Sequence, residues 1–74
     1  MIQVVECVGM RCPLPIVYVR LALNSLHKND ELIVRADDES FDVEFSSFCF
    51  LADIQLIQRT ECVGFWEYHV KVVK

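Results

Sequence analysis

Apolar positions along the chain recur at two different periods, and the changes between them divide it into six segments. Ile2–Cys7 is short, apolar and β-branched, which predicts a first strand that Gly9 breaks. Within residues 14–26, Ile16, Val19, Ala22, Leu23 and Leu26 follow the spacing of one helical face. Pro13 and Pro15 stand at its start, where first-turn amides have no intrahelical partner to lose. Residues before proline favour extended backbone, so Cys12 and Leu14 put the helix proper near Pro15. Leu32, Val34 and Ala36 alternate with Ile33 and Arg35, a second strand, and residues 37–40 form the next turn. Phe41, Phe45, Phe48, Cys49 and Ala52 fall at i, i+4, i+7, i+8 and i+11, a second helix with an aromatic stripe. Residues 54–61 read as a third strand, Gly64 as a hairpin turn, and residues 65–73 as a fourth strand. On that last strand Trp66, Tyr68, Val70 and Val72 share one face, and Glu67, His69 and Lys71 the other.

The order is therefore βαβαββ. A strand, a helix and a strand in succession favour a right-handed parallel crossover, so both helices can cover the same sheet face. The polar face of the last strand then meets water. The predicted fold is an α+β two-layer sandwich, with two helices packed on one face of a four-stranded mixed sheet. Residues 1–74 are expected to form a single domain, because so short a chain cannot divide into two cores.

Composition narrows the picture. Hydrophobic residues are 54% of the chain and glycine is scarce, which argues for a packed domain and against disorder. A core of this size is modest, so chemistry is expected at the surface and not in a buried cavity. The net charge is −4, with Asp30, Glu31, Asp37, Asp38, Glu39, Asp42 and Glu44 offset in their stretch only by Arg35. Without a basic stripe, direct nucleic-acid binding is disfavoured. The acidic stretch reads as a solvated turn and helix start, where carboxylates suit the positive helix end, or else as a patch for a basic partner. No signal peptide opens the chain and no apolar run approaches the ~18 residues of a membrane span, so a cytoplasmic protein without membrane insertion is expected. There Cys7, Cys12, Cys49 and Cys62 are expected as thiols. They form no Cys-x-x-Cys, and His27 and His69 are not spaced to complete a zinc site, so no metal is expected.

The segment that carries chemistry is Gly9-Met10-Arg11-Cys12-Pro13-Leu14-Pro15, between the first strand and the first helix. The thiolate is the reactive form of cysteine, and helix N-termini and cations lower its pKa. Cys12 has a helix start after it and Arg11 before it, so it is expected to be accessible and to titrate below the ~8.5 of a free thiol. Gly9 permits a tight turn, while Pro13 and Pro15, outside the expected core stripe, aim the sulfur. A positioned thiol on a rigid loop suits sulfur transfer from one thiol to the next.

Gly-x-x-Cys-Pro-x-Pro after a first strand resembles the motif of the TusA/SirA family of small sulfur carriers. The likeness extends over nearly the whole chain: its length, the βαβαββ order, the acidic turn at Asp37 and Asp38, and Phe48-Cys49 in the second helix. The resemblance implies that Cys12 bears sulfane sulfur as a persulfide and that no cofactor is needed. It implies a carrier, not an enzyme with its own active-site cavity. The implied partners are a cysteine desulfurase or other sulfur donor protein, and a downstream acceptor protein in tRNA thiolation or related sulfur metabolism. A monomer or weak homodimer is expected. This chain departs from the family in having Glu6 where Asp is common. Tyr18, Arg20 and Leu21 stand where tRNA-thiolation members often have Lys or Arg, and Phe50 and Leu51 where polar or basic residues are usual.

Other residues are candidates beside Cys12. Cys7 is a secondary-thiol candidate that could resolve a Cys12 persulfide or sulfenate, or simply a thiol that packs at a strand end. Cys49 falls on the aromatic stripe, Cys62 lies by the hairpin turn with nothing to activate it, and His69 faces water. On a helical wheel Val17 and Leu21 point away from the core face, with Tyr18 at its margin, and Phe50 opposes the aromatic stripe. Val17, Tyr18 and Leu21 are the expected partner contact, in preference to residues 37–44. Three functions need the same exposed Cys12: a sulfur carrier, a thiol redox regulator, and the soluble partner of a sulfur-compound transporter.

Overall fold

A computed structural model describes residues 2–73. The chain runs β1 (Ile2–Cys7), α1 (Leu14–Leu23), β2 (Glu31–Ala36), α2 (Glu39–Leu51), β3 (Ile54–Cys62) and β4 (Phe65–Val72). The sheet order is β1-β2-β4-β3. β1 and β2 are parallel, joined through α1, and the other two pairings are antiparallel. This is the expected mixed sheet with two helices against it.

Strand alternation sets the two faces. Val5 and Cys7 on β1, Leu32, Val34 and Ala36 on β2, and Tyr68, Val70 and Val72 on β4 are buried. They meet Val19 and Ala22 from α1 and Phe41, Phe45, Phe48 and Cys49 from α2. The aromatic stripe does the close packing. Phe41 stacks on Phe45 with centroids 4.8 Å apart, and Tyr68 meets Phe45 edge-on at 4.9 Å. On the opposite face Arg35 bridges Glu6 and Glu67 across three strands, and His69 pairs with Glu31. That face is stitched by ion pairs because it lies open to water.

The element ends differ from expectation in three places. α1 stops at Leu23, and the amides of Ser25 and Leu26 bond the carbonyls three residues back. The tighter turn still swings Leu26 into the core, which is why it keeps the helical apolar spacing outside the helix. α2 begins at Glu39, inside the expected turn, because Asp38 caps it through the Phe41 amide. β3 extends to Cys62 and carries one extra residue, Ile57, between the pairs Leu56–Val70 and Gln58–His69. This bulge breaks the alternation of an edge strand that buries only Ile54.

Candidate functional site

The C-terminal ends of the parallel strands β1 and β2 leave the sheet side by side, with Cys7 paired to Ala36. The loop of residues 8–13 and the Asp37–Asp38 turn therefore start as neighbours. Gly9 turns the chain at a φ of 90°, a conformation that side chains other than glycine resist. Its amide donates to Asp37 Oδ1 at 2.9 Å, and the Cys12 amide donates to Asp38 Oδ2 at 3.1 Å. The same Asp38 oxygen accepts from the Phe41 amide at 3.2 Å. One carboxylate thus caps α2 and holds the loop, which ties Cys12 to an element 26 residues away in sequence. The Cys12–Pro13 peptide is cis.

Cys12 is partly exposed, at the head of α1 as expected. Its Sγ faces the Glu44 carboxylate from α2, at 3.7 Å from Oε1 and 3.8 Å from Oε2. The expected lowering of its pKa is overturned. Partial burial first, then the charge of Glu44 and the hydrogen bond to it, then Asp38, push the Cys12 thiol up. Arg11 lines a recess with Asp37, Asp38 and Glu39. The helix start gives little help. Pro13 and Pro15 have no amide, and the Leu14 amide bonds the Arg11 carbonyl at 2.9 Å.

Glu44 differs from Asp37, Asp38 and Asp42. Asp42 is engaged by Arg59 at 2.8 and 2.9 Å and by the Tyr68 hydroxyl, and the Arg59 bond above all holds its carboxyl below the usual carboxylate range. Asp37 and Asp38 accept backbone amides. Among the described residues no cation pairs with Glu44, which is exposed. Nothing local in the sequence marked Glu44, since the contact spans 32 residues.

The remaining candidates separate by burial. Pro15 is fully buried, which corrects its placement outside the core, while Pro13 is exposed. α1 enters against the sheet with its second residue facing inward, so that ring packs as core. Cys7 has no exposed surface, and burial first and Glu6 second push its thiol up. That fits the packing reading and opposes a role as resolving thiol. Cys49 is buried and pushed up to about 11 by desolvation. Cys62 is half-buried, with Sγ 3.9 Å from the Thr60 carbonyl. Val17, Tyr18 and Leu21 are exposed; Tyr18 and Leu21 line a groove with Gln3, Val4 and Glu6 of the edge strand β1. Among the described residues no group of three or more His, Cys, Asp and Glu could hold a metal ion, and no helix is long and apolar enough to cross a membrane.

A family model described as sulfurtransferase TusA matches residues 3–72, all but two residues at each end.

Proposed function

The chain belongs to the TusA sulfurtransferase family, and we propose that it accepts sulfane sulfur as a persulfide on Cys12 and relays it to an acceptor protein. The observation that carries this reading is the placement of Cys12: partly exposed, on a loop pinned by Asp37 and Asp38, while Cys7 and Cys49 are buried and Cys62 lies by the hairpin turn. The Cys12 thiolate attacks the outer sulfur of a donor persulfide. A new S–S bond forms on Cys12, the donor S–S bond breaks, and its electron pair leaves with the donor thiolate. Acceptor attack on the outer sulfur of Cys12 persulfide repeats the exchange in reverse. No net oxidant or reductant is consumed, so the domain needs no redox cofactor for this step.

A cysteine desulfurase or other persulfide-bearing protein is the proposed donor, and a thiol protein in tRNA thiolation or related sulfur metabolism the acceptor. The proposed unit is one domain over residues 1–74, a monomer or weak homodimer, in the cytoplasm. Pro13 aims the thiol, and the exposed residues Val17, Tyr18 and Leu21 supply apolar contact beside it. The test is the intact mass after incubation with a cysteine desulfurase and cysteine. A gain of one sulfur atom, lost in Cys12→Ser, is expected. No gain, together with ready glutathionylation of Cys12, would replace the carrier by a thiol redox regulator.

A further inference from the structure

The Cys-Pro-x-Pro motif accounts for Cys12 but leaves unused the carboxylate that faces it from α2. Taking Cys12 as the sulfur-bearing residue, we propose that Glu44 selects which sulfur partners Cys12 exchanges with, favouring those that present a cation beside their own reactive sulfur.

Three observations support this. Glu44 touches the reacting atom, with both carboxylate oxygens within 3.8 Å of Sγ. Its charge is uncompensated among the described residues, whereas Arg59 takes Asp42 and backbone amides take Asp37 and Asp38. Its backbone stands on α2, a helix anchored on the sheet through the buried rings of Phe41, Phe45 and Phe48. A lone negative charge at this distance disfavours the thiolate and attracts a cation that arrives with a partner. When that cation pairs with Glu44, the penalty on the thiolate falls at the moment of contact. A neutral or anionic partner brings no such relief. The same carboxylate therefore protects Cys12 from adventitious reaction and admits the matched protein. Arg11, the nearest cation in sequence, lines the recess of Asp37, Asp38 and Glu39, and among the described residues it forms no ion pair with Glu44.

The test uses the full chain carrying Cys62→Ser, which removes the other partly exposed thiol, with Glu44 retained or replaced. Cystamine, a cationic disulfide, and dithiobis(nitrobenzoate), an anionic one, are the probes. In each exchange the Cys12 thiolate forms a mixed disulfide and expels the probe thiolate. Dividing the cystamine rate by the dithiobis(nitrobenzoate) rate cancels changes in thiolate fraction. Glu44→Gln is expected to lower this ratio about threefold or more at low ionic strength, and Glu44→Asp to preserve most of it. At about 1 M salt, where the screening length is ~3 Å, the difference should nearly vanish. A ratio unmoved by Glu44→Gln overturns the proposal, as does a drop that persists at high salt. Persulfide loading is read separately. If Cys12 gains no sulfur while the charge preference holds, the carrier reading fails and the selection by Glu44 stands.

Discussion

At Cys12 two influences oppose each other: a loop that presents the sulfur to solvent, and carboxylates that keep its proton on. Because burial, Glu44 and Asp38 disfavour the thiolate, the alkylation rate of Cys12 should rise with pH through a midpoint above the ~8.5 of free cysteine. Removing the Glu44 charge lowers the cost of ionisation, so Glu44→Gln should move that midpoint down. Iodoacetamide labelling followed by mass spectrometry in the Cys62→Ser chain reads both, and a midpoint below that of free cysteine would refute the electrostatic account. The two prolines divide at this scale. Pro15 is fully buried, and Pro15→Ala should cost about 1–3 kcal/mol of unfolding free energy in urea titration, from the ring volume lost and the freer unfolded chain.

Among the elements, α2 has two working faces. Its inner stripe builds the core, and Phe45→Ala should cost about 3–5 kcal/mol by the same titration. Its outer edge carries Asp42, clasped by Arg59 from β3 and Tyr68 from β4. A carboxylate whose folded pKa is depressed adds stability above its unfolded value of ~3.9 and loses it as pH falls through the lower folded value. Asp42→Asn should therefore be about 1–2 kcal/mol less stable near neutral pH, with the gap to the parent closing below about pH 4. Thermal melting across pH measures it. α1 faces two ways too, with Val19 and Ala22 inward and Leu21 61% exposed. Leu21→Lys should leave the melting point unchanged and weaken binding to the sulfur donor, and a large fall in melting point would refute the interface. Of residues 37–44, not expected as the docking surface on sequence grounds, Asp38 and Glu44 meet Cys12.

Across the whole molecule, the parallel β1–β2 pair gathers chemistry at one end of the sheet. Both strands deliver their C-terminal loops there, so Gly9 and Cys12 find Asp37 and Asp38 without any long-range recognition signal in the sequence. The remaining sheet face is held by Arg35, Glu6, Glu67, His69 and Glu31, and the helices cover the other. The six elements, their order and the inward residues of β2, α2 and β4 were legible in the sequence, because period and turn chemistry are local properties of the chain. Motif and resemblance marked Cys12 in the same way, since Gly9, Pro13 and Pro15 act through the backbone next to it. What packs against that thiol was decided by tertiary structure alone. Glu44 lies 32 residues from Cys12, and only the crossover that sets α2 beside the motif loop brings its charge to the sulfur. The expectation of a lowered thiol pKa failed because burial first, then Glu44 and Asp38, oppose ionisation: it counted the neighbours in sequence, Arg11 and the helix start, whereas desolvation and electrostatic energy depend on what is near in space. The burial of Pro15 was hidden likewise, because the direction a helix's first turn faces is fixed by the sheet it docks against and not by its own residues.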